Sequence, residues 1–221
     1  MKTLKITGIG HSSMSPNQIE LKFRLCTLDK NYEKANSIHS QKLETLISSL
    51  TTLNFKKEDI KTSSFNIQTK YKSIRTLSGE YKEEFEGYYI NQNLVLVFDY
   101  NMDLLDKILN NISSSKTNPK LSINFTIKEK EEFENKLLEN AYTDARKKAE
   151  ILAKASNQVI SSIVSIDYSF GSIHLYSDTM YDDENMNYKG TAKCSIGSNI
   201  TPLDIEKSEN VTFIFELKEK E

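Results

Sequence analysis

DIKTSSFNIQTKY (Asp59–Tyr71) is answered by GYYINQNLVLVFDY (Gly87–Tyr100). Both stretches alternate apolar and polar residues in the manner of strands. The polar segment between them holds Ser78-Gly79, a turn signal. Together they predict one long β-hairpin. On its first arm Phe65, Ile67 and Tyr71 share a face, with Asn66, Gln68 and Lys70 on the other. On its second arm Leu94, Leu96 and Phe98 lie on one face while Val95 and Val97 occupy the opposite one. A strand apolar on both sides is expected to be covered on both sides. One cover should be a helix of this chain, and the second another layer of the chain or another subunit.

Outward from the hairpin the pattern stays legible. Lys2–Ile9 reads as a short strand, and Gly8–Pro16 as a loop or bulge. Ile19, Leu21, Phe23 and Leu25 alternate with Glu20, Lys22, Arg24 and Cys26, a half-buried strand with Cys26 on its polar side or against a neighbouring layer. Residues 31–53 carry Ala35, Ile38, Leu46, Leu50 and Leu53 at helical spacing, with Asp29 or Asn31 as cap. A second helix covers 99–113 (Leu104, Leu105, Ile108, Leu109, Ile112), and the run 113–119 ends it. Leu121, Ile123, Phe125 and Ile127 form a strand. The longest helix, 129–155, has the stripe Phe133, Leu137, Ala141, Ala145, Ala149 and Leu152; its alanines allow close approach to a sheet. Strands follow at 159–170 and at Val211–Leu217. Residues 171–202 show no sustained period and read as an irregular segment.

Strands and helices are interspersed without strict βαβ alternation. The predicted class is α+β, an antiparallel sheet with a long β-hairpin and helices packed on one face. The chain reads as a single domain over 1–221, with a candidate subdomain boundary near 113–120.

The bulk numbers bound the function classes. The 221 residues can bury a substantial core. With 29 basic and 31 acidic residues the net charge of -2 gives no electrostatic reason to expect nucleic acid as partner. No window approaches the roughly 18 apolar residues of a membrane span. Lys5 and Thr7 interrupt the only candidate export signal, so the chain as written reads as cytoplasmic, or as an envelope or periplasmic protein if a leader was removed. Cys26 and Cys194 stand in no CxxC or Cys/His pattern, which argues against zinc and for inert thiols, a disulfide between them being the alternative.

Tests for chemistry return little. Gly8-Ile-Gly10 lacks the third glycine of a dinucleotide loop and is followed by a strand, so the glycines are expected to serve a bulge or tight turn. His11, His39 and His174 show no paired spacing, and each is expected at the surface. Asp182-Asp-Glu-Asn185 lacks the alternating ligands and glycine of a calcium loop and reads as solvated. Ser12 and Ser13 beside His11 lack an orienting acid or oxyanion motif. No catalytic, cofactor or metal residue is assigned. Tyrosines and phenylalanines do cluster: Tyr71, Tyr81, Phe85, Tyr88 and Tyr89 on the hairpin, and Tyr176, Tyr181 and Tyr188 in the irregular segment. Tyrosine buries area while keeping a polar end, which suits an interface. The bland alternative is that these rings pack on their own sheet.

In order and spacing the chain resembles the SIMPL-domain family. The matching features are Gly8-x-Gly10 after a short strand, Asp59-Ile-Lys-Thr-Ser running into Phe65-Asn-Ile-Gln68, and Gly87-Tyr88 before the second arm. The AYTDARKKAEILA helix (Ala141–Ala153) and the closing VTFIFEL strand (Val211–Leu217) match as well. The resemblance implies no catalytic centre. It implies instead either the oligomeric assembly linked to envelope-type members or an adaptor role like that of animal members. The expectation is a non-enzymatic assembly or scaffold protein, a homo-oligomer joined through the hairpin and the 171–202 segment, with no cofactor. The alternative is a monomeric protein- or peptide-binding adaptor; an unrecognised enzyme ranks last.

Overall fold

The computed structural model describes residues 2–75, 80–169, 173–183 and 200–220. In chain order the elements are β1 (Lys2–Met14), β2 (Gln18–Asp29), α1 (Tyr32–Thr51), β3 (Ile60–Arg75), β4 (Tyr81–Asp99), α2 (Met102–Ser115), β5 (Lys120–Thr126), α3 (Lys130–Ala155), β6 (Gln158–Asp167), β7 (Tyr176–Asp183) and β8 (Ile205–Glu219). They make two sheets, ordered β3-β4-β2-β5-β7 and β1-β8-β6. The chain falls into two compact units, residues 18–125 with 179–201, and residues 1–17, 126–178 and 202–221. The fold is α+β, as the interspersed pattern predicts. Residues 113–120 lie inside the first of these units.

In the five-stranded sheet the period-2 pattern of β2 places Ile19, Leu21, Phe23 and Leu25 on one buried face. Ile19, Leu21 and Phe23 stand in register with Phe98, Leu96 and Leu94 of antiparallel β4. Leu46 and Leu50 of α1 and Leu105, Ile108 and Ile112 of α2 close over them. Each such side chain removed from water contributes about 1.5–3 kcal/mol. Both helices start on an asparagine cap. The side-chain oxygens of Asn31 and Asn101 accept from the N–H groups of Lys34 at 3.0 Å and Leu104 at 2.9 Å.

The other face of this sheet departs from expectation. Lys22, Arg24, Lys61, Ser64 and Asn66 are exposed on it. Val95 is half-buried and Val97 is 41% exposed, so the second cover expected over these valines is not supplied by the described residues. The reason lies in their neighbours. Val95 stands between Lys22 and Lys61 in register, and Val97 stands opposite Glu20. A β-branched residue among such partners serves the pleated backbone, and its burial is not required.

In the three-stranded sheet α3 packs Ala141, Ala145 and Ala149 on Val211, Phe213 and Phe215 of β8. The stretch from Gly8, expected as a loop or bulge, continues β1 as far as Met14. Gly8 and Gly10 are buried in it, facing the helix. A Cβ on Gly8 would collide with the Ala141 carbonyl oxygen and lie 2.7 Å from Ala145 Cβ; one on Gly10 would collide with the Leu137 carbonyl oxygen. The glycines are there for close approach rather than for a turn.

The same helix guards the outer edge of β1. Asn140, Asp144 and Lys148, one turn apart, reach the main chain of alternate strand residues. Asn140 Nδ2 donates to the His11 carbonyl at 2.7 Å, the Ile9 N–H donates to Asp144 Oδ2 at 2.8 Å, and Lys148 Nζ donates to the Thr7 carbonyl at 3.5 Å. The repeats match because four helical residues rise about 6 Å and two strand residues about 6.6 Å. At the opposite border β6 leaves Val159, Ile163, Val164 and Ile166 exposed, the last at 55%.

The segment expected to be irregular, 171–202, contains a strand. β7 joins the end of the larger sheet beside β5, with Leu175 and Ser177 buried. Its sequence, YSDTMYDD, has no apolar alternation. An end strand is held mainly by main-chain bonds, so the sequence pattern is silent there.

Candidate functional site

Pairing with β2 ends at Asp29 opposite Tyr88. Beyond that point β4 keeps only β3 as partner, and the ladder runs on to Arg75 opposite Tyr81. Residues 70–75 and 81–87 therefore form a two-stranded arm extending past the sheet. The arm departs at Gly87, whose φ is 154°, and a Cβ there would lie 2.7 Å from the Asp29 carbonyl oxygen. A register shift between Lys70 and Tyr71 leaves Glu86 as the extra residue of a bulge, which sharpens the local twist.

The arm has two unlike faces. One carries a chain of edge-to-face rings. Tyr71 meets Phe85 at 5.8 Å, Phe85 meets Tyr88 at 5.4 Å, and Tyr88 meets Tyr32 of α1 at 5.4 Å. Such pairs contribute about 0.5–1.5 kcal/mol each beyond the area they bury. Tyr71 remains 54% exposed and Tyr81, at the far end, 76%. The opposite face carries the ion pairs Lys70–Glu86 at 3.2 Å and Lys72–Glu84 at 3.6 Å.

Of the eight aromatic residues singled out from sequence, Tyr71, Phe85 and Tyr88 come together on one face. The pleat sets Tyr81 on that face too. Tyr89 points the other way, where its hydroxyl donates to Cys26 Sγ at 3.0 Å and Lys70 Nζ lies 5.9 Å from its ring centre. The bond to Cys26, followed by burial, pushes the Tyr89 hydroxyl up from its ordinary pKa. Tyr176 is half-buried in β7, Tyr181 belongs to the same strand, and Tyr188 lies outside the described residues, as does Cys194. Tyr32 was missed because it opens a helix, although its place directly after the Asn31 cap points it back toward the strand just left.

The residues tested for chemistry are engaged structurally. His11 Nδ1 lies 2.7 Å from Ser208 Oγ. His174 is exposed, but His39, expected at the surface, is buried beneath the sheet. Its Nε2 lies 3.0 Å from Gln92 Oε1 and its Nδ1 3.2 Å from Thr27 Oγ1. Gln92 Nε2 in turn donates to Thr62 Oγ1 at 3.0 Å, so the ring, the amide and the two hydroxyls form one buried chain of hydrogen bonds. The ring is buried because both nitrogens are satisfied, something the apolar spacing of α1 does not reveal. Among the described residues no group of three or more His, Cys, Asp or Glu side chains is placed to hold a metal ion. No helix among them is long and apolar enough to cross a membrane.

A comparison with curated proteins gave no match. The profile of the SIMPL family, described as a protein of unknown function (DUF541), matches residues 4–214. That span takes in α1, α2, α3, the arm and both sheets of the described residues apart from the outer ends of β1 and β8, and the chain belongs to the SIMPL family.

Proposed function

We propose that the chain is a non-enzymatic assembly protein that associates with copies of itself through the β3–β4 arm, with the 171–202 segment contributing. The observation that supports this most is the arm itself. A two-stranded ladder standing alone in water is marginally stable at best, yet this one extends by six paired positions past its sheet, from Lys70–Gly87 to Arg75–Tyr81. Its rings share one face, with Arg75 and Glu83 toward its outer end, and the ion pairs Lys70–Glu86 and Lys72–Glu84 lie on the other, so the aromatic face is the one suited to docking.

Size-exclusion chromatography with light scattering tests the reading at tens of micromolar, where a contact of about 8 kcal/mol would be occupied. The wild type should elute as a defined oligomer. Tyr81→Ser, which removes a side chain already in solvent, should shift it toward monomer without lowering stability. A wild-type monomer at that concentration would overturn the proposal.

A monomeric adaptor is the second reading, and the exposed apolar border of β6 favours it. A peptide laid along Gln158–Asp167 would gain main-chain bonds and cover Ile163 and Ile166. Protection of β6 amides by a partner, in a protein that stays monomeric, would select this reading over the first.

A further inference from the structure

We infer that the open face of the five-stranded sheet holds a recess for an oxyanion, the phosphate or carboxylate group of a small molecule, seated among Lys22, Arg24 and Lys120. The recess has a volume of about 270 Å³ and is also lined by Ser63, Asn93 and Ser122. Four adjacent strands contribute, β3, β4, β2 and β5, so the donors stand on a hydrogen-bonded scaffold and not on a loop.

One of its cations, Arg24, is held in place. Asn93 Oδ1 accepts from Arg24 Nε at 3.2 Å, and Asn93 Nδ2 donates to Ser64 Oγ at 2.7 Å. Arg24 is thus held through one nitrogen, which leaves the two Nη groups of its fork for parallel bonds to a planar or tetrahedral anion. The β3 ladder skips Ser63 between Thr62 and Ser64. That bulge brings two successive hydroxyls to Asn93: Ser63 Oγ donates to the Asn93 carbonyl at 3.3 Å, while Ser64 braces the amide. A bulge that re-aims a side chain into a recess is a recurring device beside binding sites.

Charge completes the argument. Glu20 pairs with Lys22 at 2.9 Å and accepts from Asn124 Nδ2 at 3.1 Å. Among the described residues no carboxylate forms an ion pair with Arg24 or Lys120. Two positive charges on one polar wall await an anion. One phosphate or carboxylate group fits this volume and donor set.

The test titrates the full chain with inorganic phosphate and, separately, with citrate, following amide and side-chain N–H signals by NMR. Saturable shifts at the Asn93 side chain and at the Ser122 amide, with a dissociation constant of about a millimolar or tighter, are expected for at least one probe. Which probe binds tells phosphate from carboxylate chemistry. Arg24→Gln and Lys120→Gln should each weaken binding about tenfold or more, one charge-assisted contact being lost. Lys61→Gln, on the same face outside the recess, should leave it unchanged. Absence of saturation with both probes, or an equal loss in all three variants, would overturn the inference. Because the arm is intact in every variant, a failure here leaves the oligomer measurement untouched.

Discussion

Replacing Gly8 with alanine probes how α3 meets its sheet. In an ordinary exposed strand this change stabilises by roughly 0.4–1 kcal/mol, since it restricts the unfolded chain. Here the new methyl would collide with the Ala141 carbonyl and sit 2.7 Å from Ala145 Cβ. The obstacle is helix backbone, which cannot rotate aside, so α3 must retreat by about 1 Å. Overpacking alone costs about 1–3 kcal/mol. The retreat also opens a gap beside Phe213 and Phe215, forfeiting a quarter to a half of the dispersion there. The expected net loss is about 2–4 kcal/mol. At about 2 kcal/mol per molar urea the unfolding midpoint should fall by about 1–2 M. Hydrogen exchange of peptides covering 2–14 and 205–219 would assign that loss to this unit. A midpoint equal to or above that of the wild type would refute the close-packing argument, because then the conformational gain has won.

Three further outcomes can be measured. The Asp144 carboxyl is held below its ordinary range, first by the Lys148 bond and then by the Ile9 N–H. A lowered folded pKa means stability present above about pH 4 and lost as pH falls through the folded value. Asp144→Asn should therefore lower the urea midpoint at pH 7, and the gap from wild type should shrink by pH 3; an unchanged gap would count against the assignment. His39→Leu strands the Thr27 hydroxyl and one end of the Gln92 side-chain amide in the core and should cost about 2–4 kcal/mol, given 1–3 for each buried group left unsatisfied, read as thermal or urea unfolding. Asn101→Ala removes the cap on Leu104 and should cost about 1 kcal/mol, with faster exchange confined to the first turn of α2.

The strongest periodicities in the chain were also the most reliable. The alternation of β2, the alanines of α3 and a cap at the start of α1, expected at Asp29 or Asn31 and found at Asn31, each reflect one dominant force acting within a short window, although the α3 stripe closes on buried Ala153 and leaves Leu152 exposed. What stayed hidden depends on partners distant in sequence. The valines of β4 resemble a doubly covered strand until Lys22, Lys61 and Glu20 are seen beside them. Gly8 and Gly10 suggest a turn until Ala141 and Leu137 of α3, far along the chain, are found against them. Bulges at Ser63 and Glu86 change which neighbours share a face, so the grouping of Arg24, Ser63 and Lys120 leaves no local signature. The arm was legible as a hairpin, but its projection became visible only once β2 was known to stop at Asp29.

A sheet with two free borders can accrete neighbours without limit, the geometry that seeds fibrils. The reach of Asn140, Asp144 and Lys148 across β1 closes one border, so any strand that joins must come to Gln158–Asp167. Between copies of this chain, each offering that one border, growth by that route halts after a single pairing. For two identical chains the arrangement that satisfies both is a two-fold pair, finite by construction, and loosening the side chains on α3 would convert a terminating contact into a propagating one.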